Sequence, residues 1–431
     1  MRTARPTPIE RGRQGEREAR RLLSASPCPR VPASPLGRYK ILMIAPTSFF
    51  ADYGCHVRIL EEALVLQKLG HSVTVCTYHN GRSLDGLAIE RTPPIPWRRD
   101  YEVGSSLHKI AFDGLLSFKS LAVAWREKPD VIHGHLHEGA FIGYPISFLR
   151  RVPLVFDFQG SLTSEMVDHR FLRPDGPFYS PLRWLEQVIN GLPQAIITSS
   201  YHAADLCRHE FGCPPQRVYT VPDCVNAELF RPGLLGEAEK EILKARLGVP
   251  PGRKVVVYLG LLAEYQGTGL LLQAAARLVA SRPGVHFLIM GWPSEEHYRL
   301  MAQQLGVADY TTFTGKIPYE EAPRYLALGD IAVAPKMSAT EASGKLLNYM
   351  AMALPTAAFA THVSREVLGE YGVYAQVGDP VSLAEAMESL LADEDRAAEL
   401  GRRLRERAVR EYSWERAGEQ ILDIYDRVCG R

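Results

Sequence analysis

The sequence predicts an α/β protein of two Rossmann-like domains facing each other across a cleft, and three observations predict it. Short apolar runs ending in glycine or polar residues alternate with helical patterns. The alternation stops at a charged, Pro- and Gly-bearing stretch and then restarts. A length of 431 residues also fits two domains better than one. Apolar residues at 46% and charged residues at 23% are the balance of a globular enzyme. Fifty Lys and Arg against 49 Asp and Glu leave a formal charge of +1, which argues against nucleic acid as a partner. Seven cysteines without a Cys-x-x-Cys pair read as reduced thiols of a cytoplasmic protein, with no structural zinc.

Taken in order, residues 1–37 are rich in Arg, Pro and Ser and read as a disordered basic extension. They lack the apolar core of a secretion signal, and no apolar run reaches the about 18–20 residues that span a bilayer. A basic helix within them would touch acidic lipid, so peripheral contact with the inner face of a membrane stays open. "YKILMIAP" then reads as a strand buried on both faces, and "VRILEEALVLQKLGHSVTVCTYH" as a helix, a Gly70 stop and a second strand. Further strands follow at "PDVIHGH", "VPLVFDFQG", "QAIITSS" and "RVYTVPDCV". "ELFRPGLLGEAEKEILKARLGVPPGR" reads as the linker, which gives a first domain over 38–235, completed by 412–431, and a second over 236–411. The second series runs through "KVVVYLG", "VHFLIMG", "TTFTG", "DIAVAPK", "LPTAAFA" and "GVYAQVGD". Ligands of such open sheets bind beyond the carboxyl ends of the strands.

Several motifs, in order from about residue 38 to the end, resemble the GT-B glycosyltransferases of family 4. "YGCHVRILEEALVLQKLGHSVTV" is similar to the family's Gly-rich loop, helix and GHxV strand, and "PDVIHGH" to its DxxHxH segment. "VYTVPDCVNAELFRP", "VVYLGLLAEYQGTGLLLQAAA" and "NYMAMALP" match further family segments. "YSWERAGEQILDIYDRV" looks like the closing helix that crosses back to the first domain. The resemblance implies transfer of a sugar from a nucleotide-diphosphate sugar with retained anomeric configuration. It implies no cofactor beyond that co-substrate and, as is usual in the family, no metal. The acceptor is left open among sugars, lipid-linked molecules and small molecules. A catalytically silent, nucleotide-sugar-binding partner subunit is the alternative.

The sequence departs from the family where the diphosphate is gripped: Leu261 and Gln266 stand at the positions of the family's Arg and Lys. In its two-acid motif Thr340 takes the first position, with Glu341 adjacent, and Asn348 the second. Gln159-Gly160 replaces a frequent His-Gly. Lys345, in Ser-Gly-Lys at a predicted helix start, and Lys336, after "DIAVAP", are the cations available to replace the missing pair. The alternatives are a structural helix cation for Lys345 and a solvated strand end for Lys336.

Glu341 reads as a partner of sugar hydroxyls or as a helix N-terminal charge. Asn348 reads as a ribose contact, and Gly344 as a point of close backbone approach. By resemblance Gly260, Gly315, Lys316 and Ile317 lie on the donor side. Gly54, His56, His135, Asp157, Gln159 and Glu165 are the candidates on the acceptor and sugar side, each with an ordinary loop or capping role as its alternative. His133 and His135 face one side of a strand, and with no third ligand nearby a metal is not expected.

Overall fold

A computed structural model describes residues 37–51, 54–94, 109–168, 171–338 and 343–431. Glu341, Thr340 and most of the basic N-terminal stretch lie outside the described residues.

The first lobe is a seven-stranded parallel sheet. Its strands are β1 (Lys40–Ala45), β2 (Ser72–Thr77), β3 (Ala88–Arg91), β4 (Val131–His135), β5 (Leu154–Phe158), β6 (Ala195–Thr198) and β7 (Val218–Thr220). Their order is β3-β2-β1-β4-β5-β6-β7. The second lobe is a six-stranded parallel sheet built from β8 (Lys254–Leu259), β9 (Val285–Met290), β10 (Thr311–Gly315), β11 (Ile331–Ala334), β12 (Thr356–Phe359) and β13 (Val373–Ala375). Its order is β10-β9-β8-β11-β12-β13. Both sheets reverse direction beside their first strand, at β1/β4 and at β8/β11, and the crevice beyond each reversal is where open α/β sheets take ligands. Helices cover both faces of the central strands, so β1, β4, β5 and β9 are buried along nearly their whole length, the polar His133, His135 and Asp157 included.

The chain crosses between the lobes twice, and the two crossings touch. The outgoing segment after β7 donates from the Val225 amide to the Tyr412 carbonyl at 2.9 Å and bridges to Ser413. The Arg405 guanidinium pins it further by donating to the carbonyls of Ala227 and Phe230. The predicted linker is not wholly irregular, for Glu237–Arg246 forms a helix.

The last helix, Trp414–Cys429, lies on the first lobe. Gly418 there packs where an added Cβ would sit 2.9 Å from Val65 and Leu69. Tyr425 bonds His133 at 2.7 Å, and the Tyr39 hydroxyl donates to Asp426 at 2.5 Å. Further contacts tie the lobes: Tyr319 donates to Glu61 at 3.1 Å, Ser338 to Asp168 at 2.9 Å, and Arg82 pairs with Glu320 at 2.7 Å. The Glu366 carboxylate accepts from the Tyr201 and His202 amides of the first lobe.

Candidate functional site

A cavity of about 310 Å³ opens between the carboxyl ends of the two sheets. Of the residues expected from sequence, the structure brings Gly54, Gln159, Glu165, Gly260, Gln266, Ile317, Lys336, Gly344, Lys345 and Asn348 to its wall. A second cavity of about 320 Å³ lies at the opposite ends of the second sheet, around Lys254, Asp330 and Pro355. It is away from both reversals, so we place the site in the interlobe cavity.

On the second-lobe side the wall is backbone and cation. Gly260 has φ +150° and Gly291 faces it; a Cβ on Gly291 would lie 2.0 Å from the Gly260 carbonyl oxygen, so both positions require glycine. The helix Gly344–Ala351 begins in the cavity wall at Gly344 and Lys345, which turns the positive end of its dipole there. The Lys345 ammonium donates to Gln266 Oε1 at 2.9 Å and to the Tyr258 hydroxyl at 3.2 Å, and lies 4.3 Å from the Tyr258 ring centre. A cation therefore sits against the side chain where the family has lysine. Lys336 lies two residues past the end of β11, almost buried in the same wall. Trp292 lines the cavity, with Lys316 beside it at 4.9 Å from the ring centre. Lys316 and Gly315 are not in the wall themselves, whereas Ile317 is.

On the first-lobe side Gln159 and Glu165 face the cavity, but Asp157 does not. It is fully buried beneath, where Arg58 reaches it through Nε at 3.0 Å and Nη2 at 2.9 Å. The Arg58 guanidinium also meets Glu62 at 3.0 Å and Asp223 at 2.8 Å. Burial alone would raise the Asp157 carboxyl, but the Arg58 charge and the His135 hydrogen bond hold it well below the usual carboxylate range. Glu62 moves the other way, pushed up by burial and the Asp157 charge. Gln159 Nε2 donates to Asp157 Oδ2 at 2.7 Å, so the ion network below fixes an amide in the cavity wall.

His135 stacks on His133 at 4.5 Å and is fully buried, away from the cavity. His56 is likewise buried and absent from the cavity wall, and it accepts from the Ala51 amide at 2.8 Å, a bond that holds the loop before its helix. The expectation of no third ligand near the two histidines needs correction. Glu62, His133, His135 and Asp157 place one ligand atom each within 4.8 Å of one another, a set that could hold a metal. The oxygens of Asp157 are already taken by Arg58, His135 and Gln159, and the imidazole planes lie 15° apart in a stack, so the lone pairs do not converge. An arginine-centred ion network describes the cluster better.

Sequence reading missed Arg58, Glu62, Lys109, Glu138 and Trp292. Arg58 and Glu62 stand four apart on a helix and look like a surface pair. Lys109 and Glu138, 29 residues apart, meet at 2.5 Å in the cavity wall, and nothing local announces that pair.

Comparison with known proteins follows the same division. The model for "Glycosyltransferase Family 4" matches residues 54–229, and that for "Glycosyl transferases group 1" matches residues 239–408. An alpha-maltose-1-phosphate synthase of Mycolicibacterium smegmatis is 31% identical over 325 residues, 70% of this chain and 80% of that protein. A D-inositol 3-phosphate glycosyltransferase of Thermobispora bispora is 28% identical over 403 residues, covering 88% and 90%. Among solved structures, sucrose-phosphate synthase from Thermosynechococcus elongatus superposes with a TM-score of 0.77 at 19% identity, over 91% of this chain and all of that one. Anabaena Alr3699/HepE in complex with UDP and glucose gives 0.72 at 17%, over 90% and 99%.

Proposed function

This chain belongs to the family 4 GT-B glycosyltransferases, enzymes that move a sugar from a nucleotide sugar, and from that premise we propose how it does so. The donor's diphosphate lies between the N-terminus of the helix Gly344–Ala351 and the close backbone of Gly260 and Gly291. Lys345 and Lys336 supply the positive charge that Leu261 and Gln266 do not. The base stacks against Trp292 and reaches Ile317; Asn348 takes a ribose hydroxyl. The sugar turns toward Gln159 and Glu165, and the acceptor enters from the first lobe beside Lys109 and Glu138.

The transfer retains configuration and uses no metal. The bond from the anomeric carbon to the diphosphate breaks as the acceptor oxygen approaches from the same face, and the acceptor proton passes to the departing phosphate oxygen. Charge grows on that phosphate, so fixed donors aimed at it lower the barrier more than they tighten substrate binding. One observation carries this reading: the Lys345 ammonium sits 2.9 Å from Gln266 Oε1, at the mouth of the second sheet.

The test is a panel of UDP-, GDP- and ADP-sugars incubated with the purified protein. Nucleoside diphosphate release with at least one donor, undiminished by EDTA, is the expected result. Release that EDTA abolishes would overturn the metal-free mechanism. Donor binding without release from any donor, across varied acceptors, would overturn transfer in favour of a silent binding subunit.

A further inference from the structure

Two neighbouring helices of the first lobe, Lys109–Glu127 and Leu136–Arg150, carry an outward face unlike a solvated one. Ile110 is 72% exposed, Phe118 76% and Phe148 69%, and Trp125, Phe141 and Leu149 are exposed beside them. The spacing is helical, with Ile110, Phe118 and Trp125 eight and seven residues apart and Phe141 and Phe148 seven apart. Each set therefore forms one stripe. The Arg150 guanidinium lies 5.3 Å from the Trp125 ring centre and joins the two stripes. None of the exposed residues on either helix is Asp or Glu, although a water-facing helix surface normally carries both signs of charge. At its far edge Arg126 pairs with Glu90 and Glu127, and the exposed Lys128 and Arg151 leave that margin net basic. At the near edge both helices begin in the wall of the cavity, at Lys109 and at Leu136 to Glu138.

We infer that this face rests on an anionic bilayer and that the acceptor is a lipid-borne hydroxyl delivered along it to the cavity; the acceptor part rests on the donor site proposed above. Aromatic side chains with a basic margin are what the interfacial zone of a membrane accommodates. A second copy of the chain fits less well. A two-fold contact through the same face would bring one basic margin onto the other, whereas acidic headgroups pair with both. The continuity with the cavity gives the contact a use, since a bound surface delivers a tethered acceptor without diffusion through bulk water.

The test is co-sedimentation of the whole chain with vesicles of phosphatidylcholine alone and of phosphatidylcholine mixed with phosphatidylglycerol. The expected result is binding to the mixed vesicles that weakens with added salt. Phe118→Ser with Phe148→Ser should lower the partition at least about tenfold, with nucleotide-sugar affinity by calorimetry unchanged. Wild type staying in solution with both vesicles overturns the inference. So does a double variant that sediments like wild type. A wild-type dimer in light scattering that the double variant converts to monomer overturns it in favour of an interface between copies. Calorimetry needs no vesicles, so absent donor binding counts against the donor-site reading alone.

Discussion

Lys345→Ala removes the ammonium that donates to Gln266 at 2.9 Å and to Tyr258 at 3.2 Å. In the proposed site that ammonium meets a diphosphate whose charge grows as the sugar leaves. A charge-assisted contact contributes about 1.5–3 kcal/mol, which is about 10- to 150-fold in rate. The loss should fall on kcat/KM for the donor, with a smaller loss of affinity for the free nucleoside diphosphate, because the contact strengthens in the transition state. Diphosphate release measured at low donor concentration, beside calorimetry, reads both. The close approach of Lys345 and Gln266 also supplies an internal control. Exchanging them, Lys345→Gln with Gln266→Lys, returns the cation to almost the same place and should recover most of the lost rate. Turnover of Lys345→Ala within about twofold of wild type, or an exchange variant no better than the single one, would refute the phosphate grip.

Two further outcomes follow from the buried charges. Arg58→Met leaves Asp157 and Glu62 buried without their cation, and should destabilise the fold by about 3–5 kcal/mol in urea unfolding, partly relieved by adding Asp157→Asn; a loss under about 1 kcal/mol would contradict the network. Burial pushes the Glu61 carboxyl from 4.5 up to about 7, with the Tyr319 hydroxyl pulling it partly back. The native state therefore keeps a proton that the unfolded chain gives up, and stability falls as pH rises between those two values. Glu61→Gln should flatten the curve there and be the more stable protein near about pH 8, by up to about 3 kcal/mol. An unchanged pH dependence would count against Glu61 as its source.

The architecture was legible because buried parallel strands leave apolar runs such as "KILMIA" and "VHFLIM", and because glycines mark where those runs end. The edge strand Ala88–Arg91 left no such mark, being four residues long and only half-buried. "DIAVAPK" predicts a strand reaching Lys336, yet pairing ends at Ala334, since Pro335 has no amide to donate. Within the site, the second-lobe wall was partly readable from local motifs: Gly260, Gly344, Lys345 and Asn348 reach the cavity, whereas Gly315 and Lys316 do not. The first-lobe side was readable only in part: Gly54, Gln159 and Glu165 reach the wall, but His56, His135 and Asp157 are buried, because its order comes from charges far apart in the chain. Asp157 looks like a cleft carboxylate at a strand end until Arg58, 99 residues earlier, is seen to claim it from below.

The paired crossings at Val225 and Ser413 make one narrow pivot out of two backbone ribbons. Such a joint would permit turning but resist stretching once the ties at Tyr319, Ser338, Arg82 and Glu366 were released. Asp223, bound by Arg58, stands two residues from that axis, so any turn about it would leave the floor of the gap nearly in place and carry the outer rim farthest.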